Sequence, residues 1–320
     1  MGEAQQHKAE AAVDVCVCTF RRTSLWDTLA SLALQIGAPP MRVIVADNDD
    51  TPSAAAVAAR ARAELGLDVH YVHAPARNIS IARNACLEAA TADLVAFIDD
   101  DEIAVATWLA ALVSGITNYG AVFGPVPARY PPDAPAWAEK GDFHSTRPVI
   151  LAGGDIRTGY SGNVLLRRGA IGDLRLDPAL GRVGGEDTVF FALLYNRGVK
   201  LNFAPEAIAS EDVPANRLNL PWLLRRSFRT GQTAARTAQL RGQSAPAIAM
   251  LSTAKAAYCG AAALLTAWSP VRVRRNLIRG ALHVGALAKV LGAKDLTMYG
   301  AASPAAPQSV RSTSAAQKGV

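Results

Sequence analysis

The chain is short of cysteine, aromatic side chains and charge. Of its 320 residues, four are cysteines, 6% are aromatic and 19% are charged. Cys16, Cys18, Cys86 and Cys259 form no Cys-x-x-Cys pair, which argues against a zinc ribbon or a thioredoxin-like redox site. Cys16 and Cys18 fall on one face of an apolar run and read as small core residues. Cysteine usage this sparse fits a reducing cytoplasm. Residues 1–8 have no apolar signal core, so no secretory peptide is read there. No repeat of solenoid length recurs. No basic stripe is interleaved with aromatics, so nucleic acid is not an indicated partner.

What is present is a folded, slightly apolar chain. Half of its residues are hydrophobic, and the mean hydropathy is +0.14. The length allows one main domain with an appendage. The net charge of +6 suits phosphates, nucleotides or an anionic membrane surface.

The most informative segment is 93–102. An apolar stretch, Leu94-Val95-Ala96-Phe97-Ile98, ends in four carboxylates: Asp99, Asp100, Asp101 and Glu102. The apolar part belongs in a buried sheet. Unpaired acids cannot follow it inward, so they are expected at the carboxyl edge of the sheet, where open α/β sheets bind ligands. Alternate carboxylates on one extended face can share a hard divalent cation, which is suited to a diphosphate.

Strands are predicted at 13–19, 42–46, 69–72 and 94–98, with helices at 25–32, from Thr51-Pro52 onward, and at 78–90. Thr51 is expected to be the N-cap of its helix, with Pro52 in the first turn. This alternation predicts a mainly parallel sheet with its strand ends on one rim. Further on, a helix is predicted at 107–118 and strands at 122–124 and 162–167. The Pro- and Gly-rich segment 125–160 resists assignment, and a loop that long is often functional. A basic helix spans 220–240 and carries Arg225, Arg226 and Arg229.

Two more acidic groups stand out. The cluster Asp47-Asn48-Asp49-Asp50 closes the second strand, and Glu186-Asp187 follow a glycine pair at the start of a helix. Taken singly, the first is an Asx turn and the second an N-cap. Together with the acid run, all three groups fall where a parallel sheet presents them to one cleft. Arg217, Arg225, Arg226 and Arg229 are candidates to neutralise a departing diphosphate.

These pieces resemble, in order, the family 2 glycosyltransferases of the GT-A fold. The matching residues are Val15 to Arg22, Val43 to Asn48, Ile79 to Asn84, Ala96 to Glu102, Thr158 to Asn163, Gly185 to Thr188 and Arg225 to Gln232. They span roughly residues 13–240, and the flavour is that of the bacterial exopolysaccharide, succinoglycan-type branch. The resemblance implies an α/β, Rossmann-like fold and an inverting transfer from a nucleotide-diphosphate sugar, UDP-linked, to a saccharide or lipid-linked acceptor. It implies that Thr19, Phe20 and Arg21 border the nucleotide, that Asp47 and Asn48 meet base and ribose, and that Arg83 lies near the uridine. Asp99 and Asp101 match the metal-binding Asp-x-Asp for Mn2+ or Mg2+, with Asp100 on the donor side. Asp187 matches the catalytic base, with Glu186 beside it. Asn48 stands where many relatives carry Asp, and Glu211 where many carry His.

The runner-up readings fit less well. An aspartate-nucleophile phosphatase wants Thr or Val where this chain has Ile103, and a Lys that 141–187 lacks. A sugar nucleotidyltransferase wants a Gly-rich loop where Thr19-Phe20-Arg21-Arg22 stands. A degenerate nucleotide-sugar-binding domain is disfavoured because metal acids and base are both present.

The expected organisation is a tail at 1–12, a catalytic domain at 13–243, a helical region at 244–300 and a disordered tail at 301–320. Residues 247–267 are about long enough to span a bilayer but are rich in Ala and carry Lys255. Residues 271–294 pair apolar positions with six Arg or Lys, the pattern of a helix lying on an anionic leaflet. The expectation is peripheral attachment to the cytoplasmic face of the cell membrane. The alternative is two helices packed on the catalytic domain.

Overall fold

The computed structural model describes residues 12–297. The tail expected at 301–320 and all but the last residue of the tail at 1–12 lie outside them. The strands are β1 (Val13–Thr19), β2 (Met41–Asp47), β3 (Val69–His73), β4 (Leu94–Ile98), β5 (Glu102–Ala104), β6 (Ala121–Phe123), β7 (Ala128–Arg129), β8 (Asn163–Arg167), β9 (Leu201–Phe203) and β10 (Ala209–Asp212). The α-helices are α1 (Leu25–Ala33), α2 (Ala55–Leu65), α3 (Ile79–Ala89), α4 (Trp108–Gly115), α5 (Ala136–Gly141), α6 (Arg168–Ile171), α7 (Glu186–Asn196), α8 (Leu220–Leu240), α9 (Ala245–Leu265) and α10 (Pro270–Val290).

The central sheet has the order β3-β2-β1-β4-β8-β6-β9. Its first half is parallel, as expected, and its register puts Thr19 beside Asp47 and Asp47 beside His73 on one rim. β8 enters antiparallel between β4 and β6. A second, small sheet has the order β5-β10-β7 and sets Glu102 opposite Glu211. β1 and the second half of β2 are wholly buried and dominated by Val, Ile and Cys, which suits a sheet covered on both faces. One apolar core lies under α1, α2 and α4 and the other under α3 and α7.

One local expectation is corrected. Thr51 does not cap the Ala-rich helix. That helix starts three turn residues later, at Ala55, with Ala54 as N-cap. The Ala54 N–H donates to Asp47 Oδ2 at 2.7 Å. A buried carboxylate from the preceding strand does the work that a local side chain ordinarily does.

The helix expected at 220–240 is α8, capped by Asn219, whose side chain accepts from Trp222 N at 2.9 Å. It packs tightly on α10. A Cβ added to Gly231 would lie 1.8 Å from the Leu282 carbonyl oxygen, and one added to Gly285 would lie 1.9 Å from that of Phe228. Only glycine permits that approach. Ser227 also donates to the Ile278 carbonyl at 2.6 Å.

Candidate active site

The acid run turns out to be half open and half buried. The Asp99 side chain is 41% exposed and that of Asp101 21%, whereas Asp100 and Glu102 are buried. The expectation that all four carboxylates stay at the edge is therefore corrected for two of them. The chain turns after β4 and re-enters the small sheet as β5, so alternate residues point inward. Burial resolves the cost by favouring the neutral form. Loss of water, then the charge of Asp101, push Asp100 up to about 7. Burial and the charges of Asp99 and Asp101 push Glu102 up as well.

The open pair faces other acids. Asp101 is raised by desolvation and by Asp99, and Glu211 on β10 by desolvation and by Asp101. Two arginines moderate this density. Arg22 reaches Asp101 at 3.3 Å and Asp100 at 3.8 Å. Arg217 donates to Glu211 at 2.7 Å. Arg22 sits in the first βα turn but was not a candidate from sequence, because its partners lie some eighty residues away.

Arg83 joins the acid run to α7. Its buried guanidinium donates to Asp99 Oδ1 at 3.1 Å and to Glu186 Oε1 at 2.5 Å. Glu186 is itself buried and pushed up to about 7, by desolvation and the charge of Asp187, with Arg83 pulling the other way. Asp187 is only part-buried. Its Oδ1 accepts from the Thr188 N–H at 2.6 Å, and its Oδ2 lies 3.4 Å from the Ser161 N–H. Gly185, with φ of +87°, makes the turn that aims the pair. Gly162 is a further site residue: a Cβ there would meet Glu102 Oε1 at 2.6 Å and Asp99 Oδ2 at 3.0 Å. It leaves the two carboxylates room against the start of β8. Asn163 pins that strand by accepting from Trp108 Nε1 at 2.8 Å and donating to the Ala207 carbonyl at 2.7 Å.

The predicted nucleotide side divides into scaffold and surface. Asp47 and Asn48 are buried and engaged within the chain. Asp47 Oδ2 accepts from Ala54 N and, at 2.9 Å, from Tyr71 OH. Asn48 donates to the Ala74 carbonyl at 2.9 Å and accepts from Asn78 N. Thr19 is buried at the end of β1, and its carbonyl accepts from Asn48 N at 2.8 Å. Phe20 is exposed, and the Arg21 guanidinium lies 5.3 Å from its ring centre. Arg21 Nε donates to Asp49 at 2.9 Å and holds that carboxyl down at about 2.

On α8 the three arginines separate. Arg229 donates to the Val183 carbonyl at 3.4 Å, beside the α7 turn. Arg226 lies 5.5 Å from the Trp222 ring centre; His144 stacks on that ring at 5.7 Å and the Arg217 guanidinium lies 5.6 Å away. Arg225 does not join them. It is exposed and lies with Leu224, Phe228, Ala281 and Val284 on the α10 side.

Among the described residues, no three His, Cys, Asp or Glu side chains converge as a closed metal cage. The donor set still fits a hard divalent ion that keeps positions open. Such ions are commonly held by one or two carboxylates and completed by substrate phosphates. Asp99 and Asp101 present oxygens at the mouth, and Glu102 Oε2 behind them is buried without a hydrogen-bond partner.

The rim of the sheet thus carries this acid run, with Arg83 joining it to the acidic start of α7. The model of Glycosyl transferase family 2 matches residues 14–175, and the chain belongs to that family. It is 46% identical over 298 residues to the succinoglycan biosynthesis protein ExoM of Rhizobium meliloti (strain 1021), covering 90% of this chain and 96% of that one. It is 28% identical over 246 residues to the glucosyl-dolichyl phosphate glucuronosyltransferase of Haloferax volcanii, covering 68% and 75%. Among solved structures, the mannosyltransferase PcManGT from Pyrobaculum calidifontis in complex with GDP-Man and Mn2+ is similar with a TM-score of 0.60 at 18% identity, covering 88% of each chain. S. aureus TarS 1-349 is similar with a TM-score of 0.50 at 16% identity, covering 88% and 91%. The fold is GT-A and the chain is a glycosyltransferase.

Proposed function

We propose that this glycosyltransferase moves a sugar, with inversion, from a UDP-linked nucleotide-diphosphate sugar to a saccharide or lipid-linked acceptor during cell-surface polysaccharide assembly. One observation carries the reading: Arg83 ties Asp99 of the acid run to Glu186, the neighbour of Asp187. Donor-side and acceptor-side carboxylates are thereby held in one frame.

In this reading Asp187 is the base, since Glu186 is buried and committed to Arg83. Asp187 takes the proton of the acceptor hydroxyl. The acceptor oxygen bonds to the anomeric carbon as the bond from that carbon to the diphosphate breaks. The bonding electrons leave with the nucleoside diphosphate, and a single displacement inverts the centre. Asp99 and Asp101 would hold a Mn2+ or Mg2+ ion, which supplies charge neutralisation of the diphosphate. Arg226 and Arg229 would take up charge on the leaving group. Phe20 and Arg21 would border the nucleotide, above a floor kept rigid by Thr19, Asp47 and Asn48.

The polysaccharide assignment is supported by the ExoM relative, whose name states succinoglycan biosynthesis. Work on a lipid-linked acceptor would place the enzyme at the cytoplasmic membrane face, with the helical region 244–300 as the membrane-associated part. The test is a panel of nucleotide sugars with manganese, scored for release of nucleoside diphosphate. UDP release from a UDP-sugar, increased by an acceptor glycan, is the expected result. Release of inorganic phosphate or pyrophosphate, or no turnover of any donor, would overturn the reading.

A further inference from the structure

Charge is distributed very unevenly along this chain. Residues 213–294 contain 13 Arg and Lys and no Asp or Glu. The rest of the chain then holds 20 basic and 27 acidic residues, a net charge of −7. The apolar surface is concentrated in the same region. α9 is long and apolar enough to cross a membrane by length and composition, yet only 22% of its apolar window is buried. Leu264 and Leu265 are each 80% exposed, and Trp268, in the turn to α10, is 74% exposed. Isolated exposed leucines are ordinary, but a cluster at the tip of a helical hairpin marks an interaction surface.

Roughly 10–15 Å along the hairpin from that tip by helical rise, α9 and α10 form a groove lined by Lys255, Tyr258, Cys259, Arg279, Leu282 and His283. Lys255 is the one charge within α9, and it faces Arg279 and His283 across the groove. Burial first, and then both cations, push the His283 imidazole down. No carboxylate pairs with Lys255 or Arg279 among the described residues. Convergent cations without a counter-charge repel one another, so the groove favours an anion. Helical spacing aligns the two features. Lys255, Tyr258 and Leu265 follow one face of α9, and Arg272, Arg279 and His283 one face of α10. Trp268 links them, with the Arg272 guanidinium 5.3 Å from its ring centre.

We propose that the α9–α10 hairpin is a monotopic membrane-docking element, and that the Lys255–Arg279–His283 groove seats the phosphate of an anionic lipid headgroup while Leu264, Leu265 and Trp268 enter the acyl boundary. Apolar tip, aromatic belt residue and cationic flank are the combination an interfacial helix needs. A free phosphate would use the groove but not the tip, so the joint arrangement selects the lipid. This deepens the membrane-face reading above and rests on it only for the acceptor, because docking itself is independent of catalysis.

The test uses the full chain and phosphatidylcholine vesicles with or without phosphatidylglycerol. The wild type should float with anionic vesicles and much less with neutral ones. Each near-surface Lys or Arg multiplies partitioning about fivefold, so Lys255→Ala with Arg279→Ala should lower it about 25-fold. The pair Arg241→Ala with Lys294→Ala removes the same charge outside the groove and should cost clearly less. Leu264→Ser with Leu265→Ser should lower binding to anionic vesicles, and millimolar inorganic phosphate should not. All variants should release nucleoside diphosphate in solution like the wild type, which separates loss of docking from failure of the transferase reading. Four results would overturn the inference: equal loss in the two charge pairs, no flotation of the wild type, release by phosphate alone, or a dimer that Leu264→Ser with Leu265→Ser dissociates.

Discussion

The chain up to Asp212 and the helices that follow solve charge in opposite ways. In the first region, arginines are spent on specific carboxylates: Arg21 on Asp49, Arg22 on Asp101, and Arg83 on Asp99 and Glu186. In the second, Arg217 pairs back to Glu211, and Arg236 and Lys289 meet Asp295, while the α9–α10 groove gathers cations with no acid at all. Paired charges fix geometry, which transfer chemistry needs. Uncompensated charges cannot stabilise the fold and are useful only toward something outside it. α8 belongs to both regions, with Arg226 and Arg229 toward the cleft and Gly231 against α10.

The comparison can be broken at its most demanding point first. Asp187→Asn should lower kcat by about 10²–10⁴-fold, the usual contribution of a positioned base, with donor affinity kept; steady-state kinetics and calorimetry read both. If donor affinity collapsed instead, Asp187 would belong to the donor side. Next comes the internal pairing. Arg83→Met strands a buried Glu186, so unfolding free energy should fall by about 3–5 kcal/mol. Adding Glu186→Gln should restore part of that, and denaturant melts would show whether it does. The seam follows. Gly231→Ala forces a methyl against the Leu282 carbonyl and should cost about 1–3 kcal/mol, visible as a lower Tm.

The smallest effect is a pH slope. Folding raises Glu186 from its ordinary 4.5 to about 7. A group whose folded value is raised lends stability at low pH that is lost as pH rises through the folded value. The wild-type Tm should therefore decline between about pH 4.5 and 7 more steeply than that of Glu186→Gln. Parallel profiles would show that Glu186 stays charged throughout.

How far the sequence carried the reading depends on the range of the forces. β1 to β4 and α8 were legible because local composition decides them: short apolar runs for the strands and an uninterrupted basic stretch at 220–240 for the helix. The acid run and Asp47 sit at the ends of β4 and β2, which the parallel alternation places on one rim, whereas Glu186-Asp187 and the arginines come from α7 and α8, which that alternation does not place. What escaped was set across the fold. Asp47 caps a helix seven residues on, Arg83 reaches Glu186 across 103 positions, and Gly162 leaves room for carboxylates sixty residues away. β8 read as a strand, but its antiparallel direction depends on the 125–160 segment, whose β7 and α5 show no clear periodicity. Arg225 was grouped with Arg226 and Arg229 by nearness in sequence, although its side chain lies with Ala281 and Val284 of α10.

The most direct test of the central claim is donor binding by the acid run. Calorimetry of the wild type with a UDP-sugar, with and without Mn2+, should show affinity that depends on the metal. Asp101→Ala, melting like the wild type, should lose that dependence and all transfer. Near-normal metal-dependent binding and turnover in Asp101→Ala would contradict the account.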